Sequence, residues 1–308
     1  MMRYGPMLAR FQALPPVAQG MLLMIVTTLC FTAMQTMVRL MGESLPPFEV
    51  AFFRNLFGLL ALAPIFLRHG IAPLRTKKMP LHALRGAVQA VGMLAFFTGI
   101  TMIPLAEVTA LSFSAPLFGS LLAVILLGEI IRMRRITALI AGFVGVLLVL
   151  RPGFVEVSTG ALLIMVSSLA WGLAITLIKV LAKTESSVTQ TVYMSLFLTP
   201  ITFVPALFVW EWPEPEHYLW FVAIGIVGTV AHIAFAQAVK VADSTAVLPL
   251  DFLRLIWASL VGYFLFAETP DAWSWLGGAV IFAAATYIAY RESRLARSSK
   301  RRHASTDT

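Results

Sequence analysis

The stretch LPLDFLRLIWASLVGYFLFAE, residues 248–268, determines how the rest of the chain is interpreted. It is apolar over most of the length that a helix needs to cross a bilayer, about 20 residues. Its first half nevertheless carries Asp251 and Arg254, which are three apart and can pair on one helical face. The pair predicts either a lock between helices or a polar spot that lines a solute pathway. Further along, Ala258 and Gly262 predict a close approach of a neighbouring helix.

The composition predicts a polytopic all-α membrane protein. The chain has 308 residues, of which 59% are hydrophobic and only 12% charged. No water-soluble core could hold that much apolar sequence, so the expected surroundings are a lipid bilayer. The net charge of +8 does not indicate a nucleic-acid partner, because the basic residues lie between apolar runs rather than on one face. Cys30 is the single cysteine, so no intrachain disulfide can form.

Ten apolar segments predict ten transmembrane helices, the first of them a retained span rather than a cleaved signal. They cover residues 17–40, 48–67, 84–103, 108–128, 135–151, 160–181, 189–209, 218–239, 245–266 and 273–290. Basic residues concentrate in loop 67–85, in 132–135 and in the tail 291–308, whereas acids such as Glu211, Glu214 and Glu216 occupy the other side. This positive-inside bias predicts a bacterial inner-membrane protein with both termini in the cytoplasm.

The two halves of the chain resemble each other. GMLLMIVTTLCFTAMQTMVRL from Gly20 aligns without a gap on GALLIMVSSLAWGLAITLIKV from Gly160, and APLFGSLLAVILLGE (115–129) aligns on RLIWASLVGYFLFAE (254–268). Five spans per half would place the second copy upside down, an inverted repeat of the kind found in secondary transporters. The predicted units are a cytoplasmic segment 1–16, repeats 17–151 and 152–290, and the basic tail 291–308. In this register Ser112 and Ala115 stand opposite the charged pair.

Several motifs resemble those of a known family. These are FEVAFFRNLFG (48–58), TALSFSAPLFG (109–119) with GE at 128–129, and ADSTAVLPLDFLRL (242–255) with the later AETPD. They are similar to the EamA-type branch of the drug/metabolite transporter superfamily, and within it to bacterial uptake transporters for S-adenosylmethionine or riboflavin. The resemblance implies ten helices in two inverted five-helix repeats around a central cavity, working by alternating access.

Polar and aromatic residues within the spans are the candidates for solute contact. Thr28, Thr32, Gln35 and Arg39 form one stripe on the first span, and lipid cannot satisfy such a stripe. Helix packing is the alternative explanation for each candidate, and Arg54 is interpreted as reaching the outer interface. The predicted substrate-binding residues are Asp251, Arg254, Gln35, Thr32, Gln89, Trp171, His232 and Trp257.

The leading function is secondary transport of a small polar or zwitterionic metabolite, of the size of S-adenosylmethionine or riboflavin. An exporter of amino acids or related metabolites is the alternative within the same class, and an intramembrane lipid-modifying enzyme is the alternative outside it. The sequence shows no catalytic motif, nucleotide-binding loop or paired metal ligands, so no enzyme activity, cofactor or metal is expected. The expected partners are a small-molecule substrate and the bilayer, with monomer or homodimer left open.

Overall fold

The regular elements of the protein are helices. The computed structural model describes residues 14–63, 74–128, 133–242, 247–269 and 271–306, and within these ranges it contains no β-strand. The helices are α1 (Pro16–Met41), α2 (Pro47–Leu60), α3 (Met79–Gly99), α4 (Leu105–Ser112), α5 (Ala115–Leu127), α6 (Met133–Leu150), α7 (Thr159–Leu181), α8 (Ser187–Leu207), α9 (Pro215–Val241), α10 (Leu253–Phe266) and α11 (Ala272–Thr306). A 3-10 helix, Leu248–Phe252, leads directly into α10. The all-α prediction is confirmed.

Local sequence explains where many of these helices begin and end. Proline opens α1, α2 and α9, where its missing N–H and its fixed φ angle suit the first turn. The side chain of Ser158 accepts a hydrogen bond from the N–H of Ala161 and so caps α7. Gly128, at a φ of 64°, ends α5 in the left-handed conformation.

The lengths of the helices test the predicted spans. Among the described residues, eight helical segments are long and apolar enough to cross a membrane, counting Leu105–Leu127 and Pro249–Phe266 as one segment each. The other two predicted spans correspond to shorter helices, α2 with 14 residues and the apolar part of α6, Ile136–Leu150. Eight membrane-capable helices are therefore confirmed, and the count of ten stays a prediction.

The closest helix packing joins the two halves of the chain in matched pairs. Helix α1 packs on α9, and their equivalents in the repeat, α7 and α3, pack on each other. In the same way, α10 packs on α1, and its equivalent α5 packs on α7. A Cβ at Gly20 would meet the Cβ of Ala242 at 2.4 Å, and one at Gly160 would meet the Cβ of Met102 at 2.8 Å. These equivalent contacts support the internal repeat seen in the sequence.

Two of the small residues in the repeat have different structural roles. A Cβ at Gly172 of α7 would lie 2.6 Å from the backbone nitrogen of Gly119, so both glycines are needed for α5 and α7 to approach this closely. Gly262 was expected to admit a neighbouring helix, but a Cβ there would lie 2.7 Å from Oε2 of Glu268. The expectation is wrong for Gly262, because the chain folds back after α10 and the carboxylate takes that space.

Candidate functional site

Each half of the chain departs from a regular α-helix at the same place in the repeat, by a break between two α-helices in the first half and by a 3-10 segment in the second; these two irregular points are the interruptions. Helix α4 ends at Ser112 and α5 begins at Ala115, while in the second half the 3-10 helix ends at Phe252, where α10 follows. Pro116 explains the first interruption, because it lacks an N–H and its ring conflicts with the carbonyl of Ser112 in a continuous helix. Pro249 opens the 3-10 helix in the same way. Interrupted helices in corresponding positions are a recognised indicator of a transporter's binding site.

The two interruptions meet inside the protein. Phe113 and Phe252 are equivalent in the repeat, and their rings are stacked with centroids 6.1 Å apart and planes at 26°. Both rings also contact Phe282 of α11, at 5.3 Å and 5.0 Å. A contact between equivalent residues is expected where a pseudo-two-fold axis passes.

The charged pair lies beside this meeting point. Nη2 of Arg254 is 2.7 Å from Oδ2 of Asp251, so the pair that the spacing predicted is present. About four-fifths of each side chain is buried. The guanidinium lies over two aromatic rings, 5.1 Å from the centroid of Phe113 and 5.7 Å from that of Phe31. Cation–π contacts of this kind strengthen as the cation loses water.

His232 completes what we call the central cluster, namely Phe31, Phe113, His232, Asp251 and Arg254. Its ring meets Phe31 edge-on, with centroids 5.1 Å apart. Phe31 therefore has the histidine of α9 on one side and the guanidinium of α10 on another. The cluster combines aromatic rings with one acid and one base.

The polar stripe of α1 approaches the cluster from one side. Thr28 accepts a hydrogen bond of 3.3 Å from Nε1 of Trp257, which places that tryptophan against α1. Thr32 and Gln35 are buried, and Oγ1 of the threonine and Oε1 of the glutamine have no hydrogen-bond partner. A buried oxygen without a partner is costly, so these two atoms are available to a solute or a water molecule.

Two predicted site residues belong to a different part of the helix packing. Gln89 on α3 donates to the sulfur of Met194 on α8 at 3.5 Å, and its Oε1 is buried without a partner. Trp171 on α7 packs beside Gly92 on α3. These contacts are between α3, α7 and α8, whereas the central cluster is built from α1, α9, α10 and the α4–α5 interruption. The remaining predicted residues lie in or beside the central cluster.

Sequence reasoning misplaced Arg54. It was expected to reach the outer interface, but Nη2 lies 3.7 Å from where a Cβ of Gly228 would be, midway along α9. Its Nη1 donates to Oδ1 of Asn55 at 2.8 Å. The absence of a side chain at Gly228, one turn before His232, makes room for the guanidinium. In the sequence, the available indication of this space was the four-residue spacing of Gly228 and His232, which places them on one face of α9.

Arg39, the last member of the α1 stripe, has a structural partner. It forms an ion pair with Glu268, and its Nη1 donates to the carbonyl of Ile103 at 2.8 Å. Oε2 of the same glutamate accepts a hydrogen bond of 2.9 Å from the N–H of Leu105, at the start of α4. The network joins the first half of the chain to the second near the end of α1. Across the described ranges, no group of three or more His, Cys, Asp or Glu side chains could hold a metal ion.

Comparison with known proteins places the chain among membrane transporters. The family model described as "EamA-like transporter family" matches residues 18–151 and again 158–290. The chain is 28% identical over 263 residues to the S-adenosylmethionine uptake transporter of Rickettsia felis, covering 85% of this chain and 90% of the relative. It is 31% identical over 278 residues to the riboflavin transporter of Rhizobium johnstonii, covering 89% and 92%.

A solved structure supports the fold. It is described only as "Crystal structure of protein", and it superposes with a TM-score of 0.58 at 18% identity. The match covers 90% of this chain and 99% of the other. At this identity the likeness concerns the fold alone.

Proposed function

The chain belongs to the EamA-like transporter family and is a metabolite transporter, and on that premise we propose that its solute is a small polar or zwitterionic metabolite of cofactor size. We propose further that it carries this solute across the bacterial inner membrane by alternating access, in the direction of uptake. The names of the two relatives support both the size of the solute and, for the S-adenosylmethionine transporter, the direction.

The observation that carries the proposal is the meeting of the two interrupted helices at Phe113 and Phe252, with a charged pair beside them. A solute bound there would contact both halves, so a rocking of one half against the other would expose it to each side in turn. Asp251 would attract a cationic group and Arg254 an anionic one, while Phe31 and His232 present aromatic faces. Thr32, Gln35 and Trp257, which lie beside the central cluster, complete the proposed binding set, whereas Gln89 and Trp171 pack between α3, α7 and α8.

The proposed topology has ten crossings in two inverted five-helix repeats, residues 17–151 and 152–290. Segment 1–16 and the basic tail 291–308 then lie in the cytoplasm. The span of the two family matches and the matched packing of α1 on α9 and of α7 on α3 support this division. Helix α2 would cross as a short, inclined or locally thinned segment, which bilayers accommodate at modest cost.

Uptake into proteoliposomes tests the function. Purified protein would be reconstituted and offered labelled S-adenosylmethionine, riboflavin and a set of amino acids, with empty liposomes as the control. The proposal expects time-dependent, saturable accumulation of at least one of these solutes. If none of them enters faster than into empty liposomes, the proposed class of solute is wrong.

The double substitution Asp251→Arg with Arg254→Asp tests the site. It keeps an ion pair at the same spacing, whereas either single substitution to alanine would leave a buried charge unpaired at a cost of about 3–5 kcal/mol. A pair that only locks helices should tolerate the exchange. A pair that contacts solute should give a folded protein with lost or altered uptake, so unchanged apparent affinity would contradict the assignment.

A further inference from the structure

Arg54 has a charge that the rest of the described structure leaves unmatched. Its guanidinium donates to the amide oxygen of Asn55, and across the described residues no carboxylate lies within ion-pair distance of it. Two other arginines within the spans are paired with carboxylates, Arg254 with Asp251 and Arg39 with Glu268, whereas Arg85, near the start of α3, donates to the backbone and side-chain oxygens of Gln190. An unpaired charge at this depth is costly, and such residues usually mark a solute pathway.

The amide of Asn55, which accepts from the guanidinium, is itself held by two neighbouring helices. Asn55, which is 3% exposed, donates to the sulfur of Met93 on α3 at 3.2 Å and to Oγ1 of Thr202 on α8 at 3.3 Å. These two bonds fix the direction of its amide, so that Oδ1 faces Arg54. A neutral amide orients the arginine without cancelling its charge. The arrangement therefore presents a positioned cation that still lacks an anion.

Arg54 lies close to the central cluster. The Nη2 atom lies against Gly228 of α9, and Met34 of α1 also approaches that glycine, its sulfur 2.9 Å from the position a Cβ would take. One turn along each helix, His232 and Phe31 form their edge-on contact. Arg54 thus lies about one helical turn from the cluster, a separation that a single metabolite can span.

The charges near the central cluster indicate the charge of the solute. Arg254 is already neutralised by Asp251, so Arg54 leaves one positive charge in excess around the cluster. We propose that Arg54 binds a carboxylate or phosphate of the transported metabolite, so that the solute carries an ionised anionic group at one end and its ring system in the central cluster. This inference rests on the proposed transport function and narrows its substrate class. It favours solutes with the carboxylate of an amino acid over uncharged solutes such as riboflavin.

The test compares solutes that differ only in the anionic group. Uptake of S-adenosylmethionine and of its carboxyl methyl ester, and of flavin mononucleotide and riboflavin, would be measured for the wild type and for Arg54→Gln. Charge-assisted hydrogen bonds are the stronger class, so we expect a loss of about 10- to 100-fold in uptake efficiency on either esterification or the substitution. In Arg54→Gln the acid and its ester should then be transported equally. Arg54→Lys, which keeps the charge without the planar fork, should retain part of the discrimination.

Arg75→Gln is the matched control, because Arg75 is exposed in the loop before α3. It should keep wild-type uptake, and size-exclusion profiles and thermal unfolding should show every variant to be folded. The inference is wrong if the wild type transports only solutes that lack an anionic group, or if the wild type and Arg54→Gln distinguish the acid from its ester equally well. Either result would leave the transport function in place. Failure of the wild type to transport anything in the panel would overturn both.

Discussion

The ion pair between Arg39 and Glu268 gives the sharpest test of how the two halves are held together. The perturbation is a double-mutant cycle with Arg39→Gln, Glu268→Gln and both together. In Glu268→Gln the side chain can still accept from the N–H of Leu105, and Arg39 keeps its bond to the carbonyl of Ile103 and its position 4.5 Å above the ring of Phe266. The cycle therefore isolates the charge–charge part of the network.

The burial of the two side chains sets the expected magnitude. Only 16% of Arg39 and 12% of Glu268 is exposed, so the pair is better shielded than a surface ion pair, which contributes about 0–1 kcal/mol. We expect a coupling energy of about 1.5–3 kcal/mol, the range of hydrogen bonds to charged groups. Arg151 and Asp271, 2.6 Å apart with 32% and 38% of their side chains exposed, provide the matched control and should couple by less than about 1 kcal/mol.

The assay is thermal unfolding of the purified protein in one detergent, with all four members of each cycle measured together. Taking roughly 2 °C per kcal/mol for a chain of this size, the coupling should appear as roughly 3–6 °C for Arg39–Glu268. The control cycle should give roughly 2 °C or less. Equal coupling in the two cycles, or none in the first, would refute the argument from burial.

Two further predictions follow from the packing and from the charge distribution. Gly172→Ala should lower the unfolding temperature and reduce uptake, because the new Cβ would meet the backbone nitrogen of Gly119 at 2.6 Å. The control is Gly58→Ala, where a Cβ meets nothing within 4 Å. Equal stability of the two variants would contradict the close approach of α5 and α7. A reporter enzyme that is active only outside the cytoplasm should be silent when fused after Arg294 and active when fused within 212–216, and the reverse result would overturn the proposed orientation.

Much of the helical framework could be predicted from the sequence, because its determinants are local. The apolar runs located α1 and α7 to within a few residues. The pairing of Asp251 with Arg254 depends only on a three-residue spacing, so it was also accessible. The alignment of the halves predicted an internal repeat, and the packing of equivalent helices in matched pairs supports it.

The features that escaped prediction depend on which helices become neighbours. The depth of Arg54 was misjudged because its surroundings come from Gly228 on α9 and, through Asn55, from Thr202 on α8. The role of Gly262 depends on the turn after α10, which returns Glu268 to it. Sequence spacing reports the face of one helix, and it carries no information on what another helix places opposite that face.

The stack of Phe113 on Phe252 has a consequence for the bound solute. A two-fold frame with identical chemistry on both sides would accept a molecule equally well in two poses related by the axis. Here Ser112 and Ala115 replace the acid and the base on one side of the stack, so the two poses are not equivalent. In the proposed site, a solute with distinct ends would therefore bind in one preferred direction. Because the proposed alternating access moves the halves and not the solute, the solute would leave the membrane with the same end leading as when it entered.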